Sequence, residues 1–194
     1  QEQMDSSEKT LTLSLPQAKL WSVEEPNLYE LTAKLGNDEL TQRFGFRWFE
    51  VRDVKGDRQF YLNGKRITLI TAISWSFWPD NGITPSRELA YKQVRDAKQL
   101  GMNMLNFHRT IGNTDVLNAA DELGLLYFEE PGGNQYPANK FDDGTAYTQF
   151  YFNYRNEKLA RMIRRDRSHP SLIIYNLHKA VSYKNLTPTT PNQC

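Results

Sequence analysis

Apolar and polar positions follow two different periods along the chain. Over residues 10–51 the apolar positions recur at every second residue, the spacing of a half-buried strand. TLTLSL (10–15), NLYELTAKL (27–35) and residues 39–46 alternate in this way, and Gly36-Asn37-Asp38 makes a turn between the last two. In QFYLNGKRITLI (59–70), Asn63-Gly64 separates two apolar runs and predicts a hairpin closed by a two-residue type I′ turn. From Ser86 onward the period becomes helical. SRELAYKQVRDAKQL (86–100) carries Leu89, Ala90, Val94, Ala97 and Leu100 on an apolar face, and Gly101 ends it. NMLNF (103–107) reads as a short strand. Asn113 or Thr114 caps a second helix with Val116, Leu117, Ala120 and Leu123 inward, and Gly124 stops it. LLYF (125–128) is the next strand, residues 131–144 a long Gly-, Asn- and Asp-rich loop, about 147–165 a third helix, and SLIIYNL (171–177) a strand.

With a first strand at about 67–73, the order is β-α-β-α-β-α-β. Parallel strands joined by right-handed crossovers are required by such an order. Four strands are half of an eight-stranded (β/α)8 barrel, or most of a small doubly wound sheet, and the β segment ahead of them favours the barrel. The fold class expected is therefore α/β, a partial TIM barrel of about four β/α units preceded by part of a β-sandwich. Its expected divisions are a disordered lead-in at 1–9, sandwich at 10–51, half-barrel at 52–178 and a disordered tail at 179–194. Three strands are too few for a closed sandwich of about seven. Asn185-Leu186-Thr187 fits a glycosylation sequon, a pattern too short to carry an assignment.

Composition narrows the function classes. At 194 residues, 39% apolar and 12% aromatic, the chain has material for a real core. Lys and Arg (24) balance Asp and Glu (23) to a net charge of +1, so no field favours nucleic acid or an anionic membrane. Cys194 is the single cysteine, which excludes an internal disulfide and a cysteine metal cluster. No apolar run approaches the roughly 18 to 20 residues of a membrane span. No signal peptide opens the chain, but residue 1 is Gln, which marks a processed end or a cut. The compartment stays open, with a secreted or periplasmic parent among the alternatives.

Six segments in order carry a family resemblance: LWSVEEPNLYEL (20–31), RFGFRWFEV (43–51), YLNGKRITL (61–69), DAKQLGMNMLNFHR (96–109), AADELGLLYFEEPG (119–132) and RDRSHPSLIIYNL (165–177). Over roughly residues 10–177 the chain resembles glycoside hydrolase family 2, which includes β-galactosidases, β-glucuronidases and β-mannosidases. The resemblance implies immunoglobulin-like β-sandwich domains followed by a TIM barrel, so this chain is expected to be a fragment: the end of a sandwich and the first half of a barrel. It also implies retaining hydrolysis of terminal β-linked sugars in carbohydrate catabolism, with two glutamates and without a redox cofactor; no cofactor is expected for this chain, and metal dependence is left open. Retention needs both because one carboxyl protonates the leaving oxygen while the other, about 5 to 5.5 Å away, attacks the anomeric carbon.

Two departures bear on activity. In register with the family's Asn-Glu beyond the fourth barrel strand, this chain has Lys179-Ala180, so the expected acid/base is missing. The family's Asn-x-x-Arg after the second strand is here Asn103-Met104-Leu105-Asn106, followed by Phe107-His108-Arg109. A frame change or spliced end after about Leu177, or divergence into an inactive relative, would each produce the Lys-Ala ending. No catalytic residue is therefore assigned, and the fragment is expected to be inactive as given.

The substrate-binding candidates are His108, Glu130, Trp75 and Trp78. His108 and Glu130 follow strands at the end where parallel barrels place active-site groups. Because adjacent strand residues point to opposite faces, at most one of Glu129 and Glu130 can face substrate, and the resemblance selects Glu130. Trp75 and Trp78, with Phe77 between, sit after the first parallel strand, where aromatic faces could stack on sugar rings. His169, before the last strand, is expected to be structural, and His178 has no assignable role. The three histidines lack metal-ligand spacing, so no metal site is expected. Arg161, Arg164, Arg165 and Arg167 read as a solvated helix end, and Gly132-Gly133 is too short for a phosphate loop. The partner expected is a carbohydrate substrate in the intact parent, with no nucleic acid and no membrane, and with self-association through the open barrel edge. A non-catalytic carbohydrate-binding or scaffold protein is the alternative, and a small doubly wound α/β protein a third reading.

Overall fold

The computed structural model describes residues 12–74, 84–108, 110–131 and 145–176, without the side chains of 146–148 and 152. Its first part is antiparallel. Strand β1 (Tyr29–Leu35) pairs with β2 (Asp38–Phe44), Tyr29 lying opposite Phe44 and Leu35 opposite Asp38. Cross-strand pairs are the unit that stabilises such a ribbon. Here the Thr32 and Thr41 hydroxyls meet at 3.0 Å. At the base, the rings of Tyr29 and Phe44 each lie 5.3 to 5.4 Å from Phe46. A three-stranded sheet follows, β3 (Phe49–Val54), β4 (Asp57–Leu62) and β5 (Lys65–Ile67). The hairpin expected at Asn63-Gly64 is present, with Leu62 opposite Lys65 and both loop residues at positive φ (53° and 76°). That is the type I′ geometry, whose twist matches the strands it joins.

Two expectations are corrected in this region. TLTLSL forms no strand over its described residues 12–15, which are exposed. Without a partner strand, alternation alone does not make a strand stable. Strand β3, conversely, pairs with β4 through a second positive-φ loop, Lys55-Gly56 (57° and 85°). The boundary expected at residue 52 falls inside β3.

The second part is a four-stranded parallel sheet with its helices: β6 (Thr71–Ser74), α1 (Arg87–Gln99), β7 (Met104–Phe107), α2 (Thr114–Leu123), β8 (Leu126–Glu129), α3 (Ala146–Asp166) and β9 (Leu172–Tyr175). The strands neighbour one another in chain order, every pair parallel. Among the described residues the order never reverses, so the crevice at the switch point of a doubly wound sheet is not formed. Strand β6 starts at Thr71, later than expected, because Lys65–Ile67 is committed to the hairpin. Asn103 holds the intervening segment: its amide donates to the Thr68 carbonyl (2.8 Å) and its Oδ1 accepts from the Ile70 N–H (2.8 Å).

The helices start and stop where the sequence indicates. Ser86 Oγ accepts from the Leu89 N–H (3.2 Å), and Asn113 Oδ1 from the Asp115 N–H (2.9 Å), each satisfying an orphan donor of a first turn. Gly124 ends α2 at φ 74°, so close to the chain before β1 that a Cβ there would sit 2.2 Å from the Val23 carbonyl oxygen. Lys98 locks the same junction, its ammonium donating to the carbonyls of Val23 (3.1 Å), Leu123 (2.5 Å) and Gly124 (3.0 Å). The Leu123 and Gly124 carbonyls are among the unsatisfied acceptors that a helix C-terminus leaves.

Alternation along the parallel strands separates two packed faces. Leu105, Phe107, Tyr127 and Leu172 pack under the helices against Val94 and Leu117. The rings of Phe107 and Tyr127 stack there at 4.4 Å. Met104 and Leu126 point the other way, onto Trp21, Val23 and Leu62 of the antiparallel part. This second face is closed off near the strand N-termini by one buried carboxylate. Asp121 accepts from the Ser171 N–H (3.0 Å) and faces His169 Nδ1 at 2.5 Å, while its own carbonyl accepts from Trp21 Nε1 (2.8 Å). His169 is thus a structural partner, as expected from its position before β9.

Candidate functional site

The opposite, C-terminal ends of the four strands collect polar side chains that the cores leave no room for. Ser74 ends β6, His108 follows β7, Glu130 follows β8 and Asn176 follows β9. Ser74, His108 and Glu130 are buried, at 6%, 2% and 4% exposure. Backbone bonds continue the sheet into this rim: the His108 N–H donates to the Ser74 carbonyl (2.9 Å) and the Asn176 N–H to the Glu129 carbonyl (2.8 Å).

The strand alternation divides the rim into two chemical environments. On the helix side, Ser74 Oγ accepts from Gln93 Nε2 of α1 (2.8 Å). Glu129 lies on the same side, fully buried, and its Oε1 accepts from the Gly112 N–H (2.6 Å). Arg165 approaches Glu129 at 3.6 Å while chelating Asp166 with two bonds of 2.7 Å and donating to the Gly112 carbonyl (2.6 Å). Gly112 has no space for a side chain, since a Cβ would lie 2.5 Å from the Phe107 ring and 3.0 Å from Glu129 Oε1. Burial, and then the neighbouring Asp166 carboxylate, push the Glu129 carboxyl up from 4.5 to about 8 against the pull of the Gly112 N–H and Arg165. Glu129 is therefore a structural acid that joins β8, the loop before α2 and the end of α3.

On the other side, Met104, Asn106 and His108 form one parity series and Leu126, Phe128 and Glu130 another, in register across β7 and β8. Their lower members belong to the apolar face described above, and their upper members are polar. Asn176 Nδ2 donates to Glu130 Oε1 at 3.2 Å, so the ends of β8 and β9 are tied by a charge-assisted bond. One buried carboxylate, one imidazole and two carboxamides thus converge above a floor of Phe128. Such a set offers several acceptors and donors to a hydroxylated ligand, and among the described residues Glu130 is its carboxyl group.

Of the four substrate-binding candidates, His108 and Glu130 are brought to the same rim. Trp75 and Trp78 lie outside the described residues, as do His178, Lys179 and Ala180. Glu129 and Glu130 take the opposite placements that strand alternation requires. Asn106 and Asn176 were not singled out as site residues, although the alternation of β7 and the end of the LIIY run mark both positions. The arginine cluster is corrected at Arg165, which reaches the Gly112 carbonyl and Glu129, while Arg161 stays exposed and pairs with Glu157 of its own helix at 2.8 Å. Helical spacing could not reveal a partner supplied by another element. Among the described residues there is no cluster of three metal-ligating side chains, and no helix is long and apolar enough to cross a membrane.

A parallel β/α sheet with consecutive strand order and a polar rim at its strand C-termini belongs to the class of folds that carry their ligand sites at that end. Comparison with known proteins places the chain within that class. The family profile of Glycosyl hydrolases family 2 matches residues 1–47. A β-galactosidase of Thermoanaerobacterium thermosulfurigenes is 34% identical over 169 residues, covering 84% of this chain and 22% of that protein. The solved β-glucuronidase 3 of Bacteroides uniformis superposes with a TM-score of 0.63 at 29% identity, over 82% of this chain and 20% of that one. The β-galacturonidase of Eisenbergiella tayi, 24% identical, shares the fold with a TM-score of 0.73 over 86% of this chain and 28% of its own. The chain is a relative of the glycoside hydrolases of family 2, and it spans about a fifth of the length of the β-galactosidase it matches.

Proposed function

We propose that these 194 residues comprise the end of an immunoglobulin-like β-sandwich and the first half of the TIM barrel of a retaining family 2 glycosidase. The activity proposed for the parent is hydrolysis of terminal β-linked sugars. The observation that carries this reading is the four parallel strands in unbroken chain order, with His108, Glu130 and Asn176 gathered at their C-terminal ends. A barrel built this way binds substrate at that rim. We propose His108 and Glu130 as sugar-hydroxyl ligands, with Asn176 orienting the Glu130 carboxylate, and Trp75 and Trp78 as ring-stacking residues.

These 194 residues do not hydrolyse glycosides by themselves. Retention requires a proton donor and a nucleophile about 5 to 5.5 Å apart. Glu130, tied to Asn176, is one carboxylate, and Lys179-Ala180 stand where the resemblance puts the Asn-Glu pair. The test is hydrolysis of aryl β-galactosides, β-glucuronides and β-mannosides by the purified chain, alone and with Lys179→Asn and Ala180→Glu, each with and without the remaining barrel half of a close relative added. No turnover is expected from either chain alone. Turnover is expected from the doubly substituted chain with the second half supplied, giving the retained anomer by proton NMR. Turnover by the unsubstituted chain alone, lost on Glu130→Gln, would overturn the assignment of Glu130 as a ligand.

A further inference from the structure

Strands β3, β4 and β5 form a sheet with two unlike faces. On one face the Arg52 guanidinium lies 4.3 Å over the Tyr61 ring and pairs with Glu50 at 2.5 Å. On the other, Phe49, Leu62 and Ile67 pack with Met104 and Leu126 of the parallel strands. A sheet of this kind solvates one face and buries the other, but here the burial is incomplete. Val51 belongs to the packed face with Phe49, since side chains two residues apart share a face. It pairs with Phe60, which pairs in turn with Ile67. Exposure rises along this row, from Ile67 in the apolar cluster to Phe60 at 37% and Val51 at 55%. The Phe60 ring stacks on Phe49 at 5.5 Å, so the apolar surface runs unbroken from the buried cluster to the exposed pair. In the next row of the same face Asp53 and Arg58 lie opposite each other, both exposed.

The place of this uncovered corner in the fold identifies what covers it. Strand β5 ends at Ile67 and β6 begins at Thr71, so the small sheet is tied at that side to one edge of the parallel sheet. At the other side, just before β3, Arg47 donates to the Pro170 carbonyl (2.9 Å) and to the Leu172 carbonyl of β9. The three strands therefore reach from one edge strand of the parallel sheet to the other, and the corner left bare is the β3 corner, beside β9. We propose that this face is a barrel floor shared by two halves, with Val51 and Phe60 the docking surface for the N-terminal ends of the parallel strands that follow β9. Those strands would carry apolar side chains where β7 and β8 carry Met104 and Leu126. This rests on the half-barrel reading and adds a second contact between the halves besides the strand edge. An apolar centre continuous with an existing core and bounded by a charged row has the layout of a protein–protein interface.

Association of the full 194-residue chain with the remaining barrel half of a close relative, supplied as a second chain and followed by sedimentation velocity, tests this. The unsubstituted chain should form a one-to-one complex. Val51→Asp and Phe60→Lys should each weaken it about tenfold or more, because each sets a charge into apolar contact. Val54→Asp is the control: Val54 is 38% exposed on the opposite face of the same strand, and its substitution should leave the complex within about twofold of the parent. Val51 is the more exposed of the docking pair, so Val51→Asp should also leave the melting temperature of the uncomplexed chain unchanged, which separates lost docking from lost folding. Binding unchanged in Val51→Asp and Phe60→Lys, or weakened as much in Val54→Asp, would overturn the inference while leaving the half-barrel standing. Variants that lose self-association yet keep the added half would overturn it too, by giving this face to a second copy of the chain. Failure of the unsubstituted chain to bind the second half would overturn the half-barrel reading itself.

Discussion

Glu129 and Glu130 are adjacent in sequence and opposite in chemistry, and the cause is the strand pleat. Glu130 projects to the rim and is tied to Asn176, whereas Glu129 projects under the helices against Gly112, Arg165 and Asp166. The sign of the pH effect follows from the raised Glu129 carboxyl. Between 4.5, its ordinary value, and about 8, the folded chain holds a proton that the unfolded chain has released. Stability from this group is thus fully present below 4.5 and is lost as pH rises towards 8, by up to about 1.4 kcal/mol per pH unit within that window. Glu129→Gln keeps an acceptor for the Gly112 N–H and cannot ionise. Urea melts from pH 5 to pH 9 should therefore show a shallower loss for the glutamine variant than for the parent. Parallel curves would mean that Glu129 is ionised throughout and paired with Arg165. That the two glutamates face opposite ways was legible from the period of two, whereas the choice of Glu130 came from the resemblance. The environment of Glu129 was not, because Gly112 and Arg165 reach it from segments 17 and 36 residues away, a proximity that only the packed fold creates.

At the scale of elements, legibility followed local chemistry. The boundaries of α1 and α2 were written in Ser86, Asn113 and Gly124, residues whose effects act within one turn. The start of β6 and the pairing of β3 were not, since each depends on which strand captures the residues around the Asn63-Gly64 hairpin. Gly124 offers a test of how the two parts of the chain are joined. Gly101 and Gly124 end their helices at similar φ, 80° and 74°, yet a Cβ at Gly101 meets nothing within 4 Å and one at Gly124 meets the Val23 carbonyl. Alanine at Gly101 should cost about 1 kcal/mol, the strain of a left-handed residue. Alanine at Gly124 should cost at least about 2 kcal/mol more, because backbone must move and the Lys98 bonds to Val23, Leu123 and Gly124 move with it. Denaturation midpoints of the two variants measure the difference; equal midpoints would show that the segment around Val23 yields freely.

For the whole molecule, what matters is how the sheet ends. Strands β6 and β9 each have one neighbour among the described residues, so each offers an edge to a further strand, although at β9 the Leu172 carbonyl already accepts from Arg47. Apolar side chains lie beside one of them, Ile70 and Ile73 being 54% and 53% exposed. The β1–β2 ribbon adds Leu35 and Leu40 at 79% and 72%. Proteins that persist as monomers usually shield such edges with charge, proline, bulges or a covering element. The purified chain is accordingly expected to associate with rising concentration, which size-exclusion chromatography with light scattering would follow. Ile70→Lys should shift the distribution towards monomer, because it places a charge beside the β6 edge and touches neither the polar rim nor the Asp121 group. The helices and caps remain as they are in this variant, so its melting temperature should change by less than its association does. A parent chain that stays monomeric across the whole concentration range would mean that both edges are covered, and the open-sheet reading, with the half-barrel built on it, would have to be given up. Association that Ile70→Lys leaves unchanged would instead move the contact to the β1–β2 ribbon, where Leu35→Lys is the corresponding variant.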